Sequence, residues 1–140
     1  MIIDHELQMS DKQAVTATAA STDVIDFKQK NPNVGLDGHS SLVVTVQEAA
    51  AAAGAATVTI TLQDSADNST FADVVSTAAI GKADLTLGKQ IVLPMPTKVR
   101  RYVRVNYTVG TGPLTAGKFS AQIVAGIQQN TPLPQSARVS

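Results

Sequence analysis

The chain has 140 residues, 11 basic and 11 acidic residues that give a net charge of zero, and no cysteine. This length suits one domain with a single core, and the lack of cysteine excludes a disulfide framework and a thiolate zinc site. A balanced charge disfavours nucleic-acid binding, which depends on neutralising phosphates with a basic surface. We expect neither a membrane span nor a secretory signal, because no apolar run has the required length.

Short runs of alternating apolar and polar residues fill most of the chain. The alternation is strictest at 56–63, where Val58, Ile60 and Leu62 would face inward and the threonines outward. Clusters of Gly, Pro, Asn and Asp separate this run from similar ones. Several short strands between such turn signals predict an all-β sandwich or barrel. The remaining predicted strands lie at 15–27, 40–47, 71–80, 89–96, 101–109 and 118–126.

One segment, EAAAAAGAA at 48–56, contradicts the strand pattern because it has the highest helix propensity in the chain. It is short, contains Gly54 and lies between two strong strand candidates. An isolated helix of this length is marginal in water. We therefore expect a connecting loop with a turn of helix.

Residues 112–118 spell G-x-x-x-x-G-K, which is most of a nucleotide-binding phosphate loop. That motif continues with Ser or Thr, whose hydroxyl binds Mg²⁺, but Phe119 occupies the position here. A phosphate loop is also followed by a helix, whereas Phe119, Ala121 and Ile123 alternate with polar residues as in a strand. We therefore predict a hairpin turn between the last two strands.

Few residues are candidates for catalysis or metal binding. His5 and His39 are far apart in sequence and lack a metal-ligand spacing. The acidic and amide residues at 64–73 could suggest a calcium loop, but the central Gly and closing Glu of the known motif are missing. Asp and Asn are ordinary turn formers, so a plain turn is favoured. The sequence predicts no enzyme, no metal and no cofactor.

The strongest charge feature is the basic cluster of Lys98, Arg100, Arg101 and Arg104. In an extended strand, Arg100 and Arg104 would share a face with Tyr102. No second basic segment accompanies the cluster, which argues against nucleic acid. We expect these arginines to pair with acidic groups, either in this chain or on a partner.

Three segments, MIIDHELQMSDKQAVTATAASTDVIDF, AAAGAATVTITLQDSAD and RRYVRVNYTVGTGPLTAGKFSA, resemble the capsid cement (decoration) proteins of short-tailed bacteriophages. The resemblance spans most of 1–126 and is most specific from VNYTVG through LTAGK. It implies a jelly-roll-like antiparallel β-sandwich on the outer surface of the virion capsid. The implied partners are the major capsid protein and a second copy of this chain, without nucleic acid or membrane. The resemblance transfers no catalytic residue.

The chain divides into an N-terminal arm or first strand at 1–14, a β-sandwich at 15–126 and an extended C-terminal arm at 127–140. Apolar residues in the arms have little local sequence to pack against, so we expect the arms to order against a neighbouring subunit. Together with the arginines they form the predicted interface: Ile2, Ile3, Arg100, Arg101, Arg104, Leu133 and Pro134.

Two other classes of function remain open. One is a β-sandwich module of a head fibre or tail that binds host-surface carbohydrate, although such sites usually use clustered aromatics and this chain has no Trp and two Tyr. The other is an enzyme on a jelly-roll scaffold, which would need a histidine cluster for its metal. Co-sedimentation with empty capsids would discriminate between these classes and a cement protein.

Overall fold

The computed structural model describes residues 3–36 and 38–127. Within them, two short 3-10 helices (His5–Leu7 and Lys82–Asp84) accompany ten β-strands. No helix in this part of the chain has the length and apolar character needed to cross a membrane. The strands are β1 (Gln8–Ala14), β2 (Ala19–Ala20), β3 (Ile25–Asp26), β4 (Ser40–Ala51), β5 (Thr57–Ser65), β6 (Ala72–Ser76), β7 (Ile80–Gly81), β8 (Gln90–Pro94), β9 (Tyr102–Gly110) and β10 (Ala116–Ala125).

The strands form two antiparallel sheets that pack face to face. One sheet has the order β1-β10-β4-β8, and the other has the order β2-β9-β5-β6, with β3 beside β9 and β7 beside β5. Apart from the steps from β2 to β3 and from β5 through β6 to β7, strands that follow each other along the chain lie in opposite sheets. This alternation is the double Greek key of a jelly roll. The all-β, jelly-roll-like sandwich predicted from the sequence is confirmed.

The core lies between the sheets and follows the predicted alternation. Val58, Ile60 and Leu62 of β5 are fully buried, while the threonines between them are less so. Tyr107 of β9 stacks on Phe119 of β10, with ring centroids 5.5 Å apart. Because β9 and β10 belong to different sheets, this aromatic pair joins the two layers.

The connection between β9 and β10 is not the predicted hairpin. β9 pairs with β5, whereas β10 pairs with β1 and β4, so the chain crosses from one sheet to the other at 111–115. Thr111 and Gly112 have positive φ, and the buried Leu114 anchors the crossing in the core. The strand prediction for the residues after Gly117 is correct, since Lys118 lies within β10 and no helix begins there. The phosphate-loop alternative is thereby excluded.

The prediction for 48–56 was wrong in its first half. β4 continues to Ala51 and pairs with β10, with Glu48 opposite Lys118 and Ala51 opposite Ala116. The Lys118 ammonium lies 2.8 Å from the Glu48 carboxylate across these strands. Cross-strand pairing therefore overrides the high helix propensity of the alanine run. Residues 52–56 form the connection to β5 without a helical turn.

Both faces of the four-stranded sheet carry buried side chains. Leu42 and Val44 face the core, so Val43 between them and its register partner Gln122 face outward. Val43 and Gln122 are nevertheless 0% and 1% exposed. The side-chain oxygen of Gln122 has no hydrogen-bond partner among the described residues. Alternation in the sequence predicts burial on one face of a strand only, so it does not predict that these outward-facing side chains are buried.

Candidate interaction surface

The predicted basic cluster is divided between a loop and a strand. Lys98, Arg100 and Arg101 lie in the connection from β8 to β9, and Arg104 lies within β9. The prediction that Arg100 shares a face with Arg104 and Tyr102 was wrong, because β9 begins only at Tyr102. Each arginine instead has its own set of partners within this chain.

Arg100 is bound to Asp64 near the end of β5. Its Nε donates to Oδ1 of Asp64 at 2.8 Å, and its Nη2 donates to the backbone carbonyl of Asp64 at 2.8 Å. The backbone N–H of Arg100 completes the set by donating to Oδ2 at 2.9 Å. These bonds raise the pKa of Arg100, chiefly through the hydrogen bond with Asp64. Since the Asp64 side chain is only 10% exposed, Arg100 neutralises a carboxylate that has little access to water.

Arg101 forms a two-bonded pair with Asp26 of β3. Its Nε and Nη2 donate to the two carboxylate oxygens at 2.7 and 2.9 Å. The hydrogen bond from Arg101 is the largest cause that lowers the pKa of Asp26 to about 2, and the backbone N–H of Lys28 adds to it. The guanidinium also lies 4.9 Å from the ring centroid of Tyr102. This pair fixes the short β3 to the beginning of β9.

Arg104 belongs to a row of side chains on the outer face of the sheet that contains β9, β5 and β6. Its Nε donates to Gln63 Oε1 at 2.9 Å, and Gln63 Nε2 donates to Asp73 at 2.7 Å. The guanidinium carbon lies 3.8 Å from the ring centroid of Phe71, close enough for a cation–π interaction. The row therefore links β9, β5 and β6 through directly opposed residues.

Acidic pairing of the cluster was predicted, with the location of the partners left open. Asp64 and Asp26 of this chain are the partners of Arg100 and Arg101. Neither carboxylate is near its arginine in sequence, since the pairs are separated by 36 and 75 positions. Sequence reasoning missed these two residues and Gln63. The equal numbers of acidic and basic residues were the only signal in their favour.

A polar cavity of about 430 Å³ opens beside the Arg100–Asp64 pair. Lys98 is exposed and makes no hydrogen bond or ion pair within the described residues. The loop on the opposite wall is held close to the end of β8, because a Cβ on Gly35 would collide with the backbone of Met95 and Pro96. The cavity is lined by Asn31, Pro32, Asn33, Asp64, Thr97, Lys98, Val99 and Arg100.

Most of the apolar arm residues predicted to form the interface lie outside the described residues. Ile2, Leu133 and Pro134 lie outside the described residues. Ile3 is described and is 48% exposed, just before the 3-10 helix His5–Leu7. Of the four arm candidates, the structure therefore describes Ile3 alone.

The acidic segment at 64–73 contains a tight turn closed by Asp67. Its Oδ1 accepts hydrogen bonds from the backbone N–H groups of Ser69 and Thr70 at 2.9 Å each and from the Ser65 hydroxyl at 2.8 Å. These bonds, the one from Thr70 first, lower the pKa of Asp67 to about 2. The plain turn predicted from the sequence is present. The described ranges contain no group of three side chains that could hold a metal ion.

Two comparisons with known proteins complete the description of the chain. The model of a protein family described as Bbp16 matches residues 9–123, which include all ten strands except the ends of β1 and β10. A search among curated proteins finds no match.

Proposed function

The chain belongs to the Bbp16 family, and from this premise we propose that it is a structural protein of a bacteriophage virion. In this proposal it is a cement, or decoration, protein on the outer surface of the phage head. It binds the major capsid protein and stabilises the contacts between neighbouring capsid subunits. A homodimer that bridges two subunits is the form we propose.

The observation that carries this proposal is the resemblance of three segments to phage cement proteins. In the structure, the most specific of these segments forms β9, the crossing at 111–115 and the beginning of β10. β9 and β10 are interior strands of the two sheets, one in each layer. The resemblance therefore lies in the centre of the jelly roll rather than in a peripheral loop. The phage-like family name agrees with it.

The mechanism we propose is mass action on the assembled shell. A protein that binds only the closed arrangement of subunits stabilises it by RT ln(1 + [L]/Kd), which is about 2.7 kcal/mol at a concentration of 100 Kd. A dimer that contacts two subunits raises the effective concentration of its second contact. The internal pairs of Arg100 and Arg101 suit this role, because they fix the loops at this end of the sandwich before any partner is bound.

Sedimentation with empty, expanded capsids that lack the protein tests the proposal. We expect the purified chain to co-sediment with these capsids, to saturate at a fixed ratio and to raise the temperature at which the shells open. Unexpanded capsid precursors and heat-denatured chain are the controls. If native chain at saturating concentration neither co-sediments nor protects the shells, the proposal is wrong.

The alternative, a fibre or tail module that binds host-surface carbohydrate, has one observation in its favour. The outer face that carries Arg104 combines polar side chains with Phe71 and Tyr102, and sugar rings commonly stack on aromatic side chains. Binding of labelled chain to host cells, abolished by Tyr102→Ala and unaffected by the absence of capsids, would support this alternative over the cement protein.

A further inference from the structure

Among the described residues, the cavity beside Arg100 has one positive charge without a partner. Two of its lining residues, Asp64 and Arg100, cancel each other through the bonds described above. Lys98 is a third charged residue in the lining and has no partner within the described residues. The described walls of the cavity therefore carry one cation without an acidic partner in the lining. The carboxylate of Asp67 also acts on Arg100, but Asp67 is not among the lining residues and is held in its own turn.

The Arg100 guanidinium beside this charge is held in place. Arg100 uses Nε and Nη2 for Asp64, so its guanidinium is fixed while its Nη1 makes no hydrogen bond among the described residues. The Arg100 side chain is 40% exposed, which leaves part of the guanidinium accessible to a partner. Side chains of Asn31, Asn33 and Thr97 supply further hydrogen-bonding groups on the cavity wall. A ligand would thus meet one preorganised donor group, the Arg100 guanidinium, which lowers the entropy cost of binding.

We propose that this cavity binds a carboxylate side chain presented by a loop of the capsid shell. A carboxylate complements a single ammonium and an adjacent guanidinium edge, and charge-assisted hydrogen bonds of this kind are about twice as strong as neutral ones. About 430 Å³ accommodates such a side chain together with part of its loop. One free cation matches one carboxylate, whereas a nucleic-acid backbone would require a row of them. The assignment rests on the proposed function, since it names the partner's chemistry at the capsid contact.

The test compares the same charge reversal at two exposed lysines, one at the cavity and one remote from it. Lys98→Glu reverses the charge at the cavity, and Lys89→Glu does so just before β8, at the end of that strand remote from the cavity. Both lysines are exposed, and Lys98 makes no bond that the fold depends on. Thermal unfolding should therefore be the same for Lys98→Glu and the unmodified chain. Lys98→Gln, which removes the charge without reversing it, completes the set.

Binding isotherms on empty expanded capsids should show Lys98→Glu weakened by about tenfold or more, Lys98→Gln by a smaller factor and Lys89→Glu by less than about twofold. Equal losses for the two Glu variants would mean general attraction to the shell and would overturn the assignment. Unchanged binding of Lys98→Glu would also overturn it. A change in the sedimentation velocity of the free protein would instead assign Lys98 to a contact between copies of this chain.

The failure of this inference differs from the failure of the proposed function. If the unmodified chain binds capsids and Lys98→Glu binds equally well, only the cavity assignment is wrong. If the unmodified chain does not bind capsids at all, the proposed function is wrong and the assignment of a capsid carboxylate is wrong with it.

Discussion

Ser10 and Tyr107 should be energetically coupled, because a hydrogen bond between their hydroxyls joins the two sheets. Ser10 lies in β1 of one sheet, Tyr107 lies in β9 of the other, and their hydroxyl oxygens are 2.7 Å apart. Both side chains are 0% exposed, so water cannot replace either partner. Tyr107→Phe would leave the Ser10 hydroxyl unpaired, and Ser10→Ala would leave the Tyr107 hydroxyl unpaired. Each change should cost about 2 kcal/mol, of which the desolvated, unsatisfied group contributes most.

The double variant removes both hydroxyls and leaves no unsatisfied group, so it should cost about 1–2 kcal/mol less than the sum of the single variants. Urea and thermal unfolding measure this difference, and each kcal/mol should move Tm by about 4 °C in a chain of this size. The pair Thr61 and Ser76 is the control, because their 2.9 Å hydrogen bond lies within one sheet and Ser76 is exposed. Additive costs for Ser10 and Tyr107 would refute the coupling.

We also expect the folded chain to lose stability at high pH, because the pKa of Tyr107 is raised. Burial raises the pKa of Tyr107 to about 12 from its ordinary value of 10, against a smaller opposing effect of the Ser10 hydrogen bond. The folded chain therefore retains the phenolic proton more strongly than the unfolded chain. Its contribution is complete below pH 10 and is lost as the pH rises towards 12, by about 2–3 kcal/mol in total. Tyr107→Phe should lack this part of the alkaline transition, which a pH series of urea unfolding curves would show.

Two further results are expected from the polar groups. The pKa of Asp26 is lowered from its ordinary value of 3.8 to about 2. The ionised carboxylate therefore stabilises the fold fully above pH 3.8, and this stabilisation is lost as the pH falls through 2. Asp26→Asn should flatten the acid unfolding profile between these two pH values. Gln122→Met should leave the free energy of unfolding unchanged or raise it by up to about 1 kcal/mol, because it removes a buried oxygen without a partner among the described residues. Gln63→Met is the matched control and should lower Tm, since it breaks bonds to Arg104 and Asp73. Equal effects of the two Met variants would contradict this reasoning.

Alternation predicted the strands well where one face meets the core and the other meets solvent. β5 is the clearest case, because Val58, Ile60 and Leu62 are buried and Thr57 and Thr59 are half-buried, although Thr61 is also buried at 6% exposed. Residues 48–51 were mispredicted because the alanines that follow Glu48 have a high helix propensity and no strong preference for either face of a sheet. Its conformation is set by β10, a strand more than 60 positions later in the chain.

Local sequence also does not determine to which of the two sheets a strand belongs. The turn residues between β9 and β10 would serve a hairpin as well as a crossing, since both need Gly and positive φ. The crossing follows from the pairing of β10 with β4 and β1, which is distributed over three distant segments. The partners of the arginines depend on the same long-range pairing, so the sequence identified the basic cluster but did not predict its contacts.

These contacts change what the basic cluster can contribute to recognition. Arg100 and Arg101 are committed to Asp64 and Asp26, and Arg104 to Gln63 and Phe71, so substituting all three arginines would disturb the fold before it reported on any interface. Lys98 remains as the one cation of the cluster without a partner in the described residues. An attachment that depends on a single lysine should lose affinity only gradually as salt is raised, whereas a site that neutralises many phosphates loses it steeply. The slope of capsid affinity against salt therefore distinguishes a specific carboxylate contact from a general basic surface, and Lys98→Gln should remove most of what slope there is.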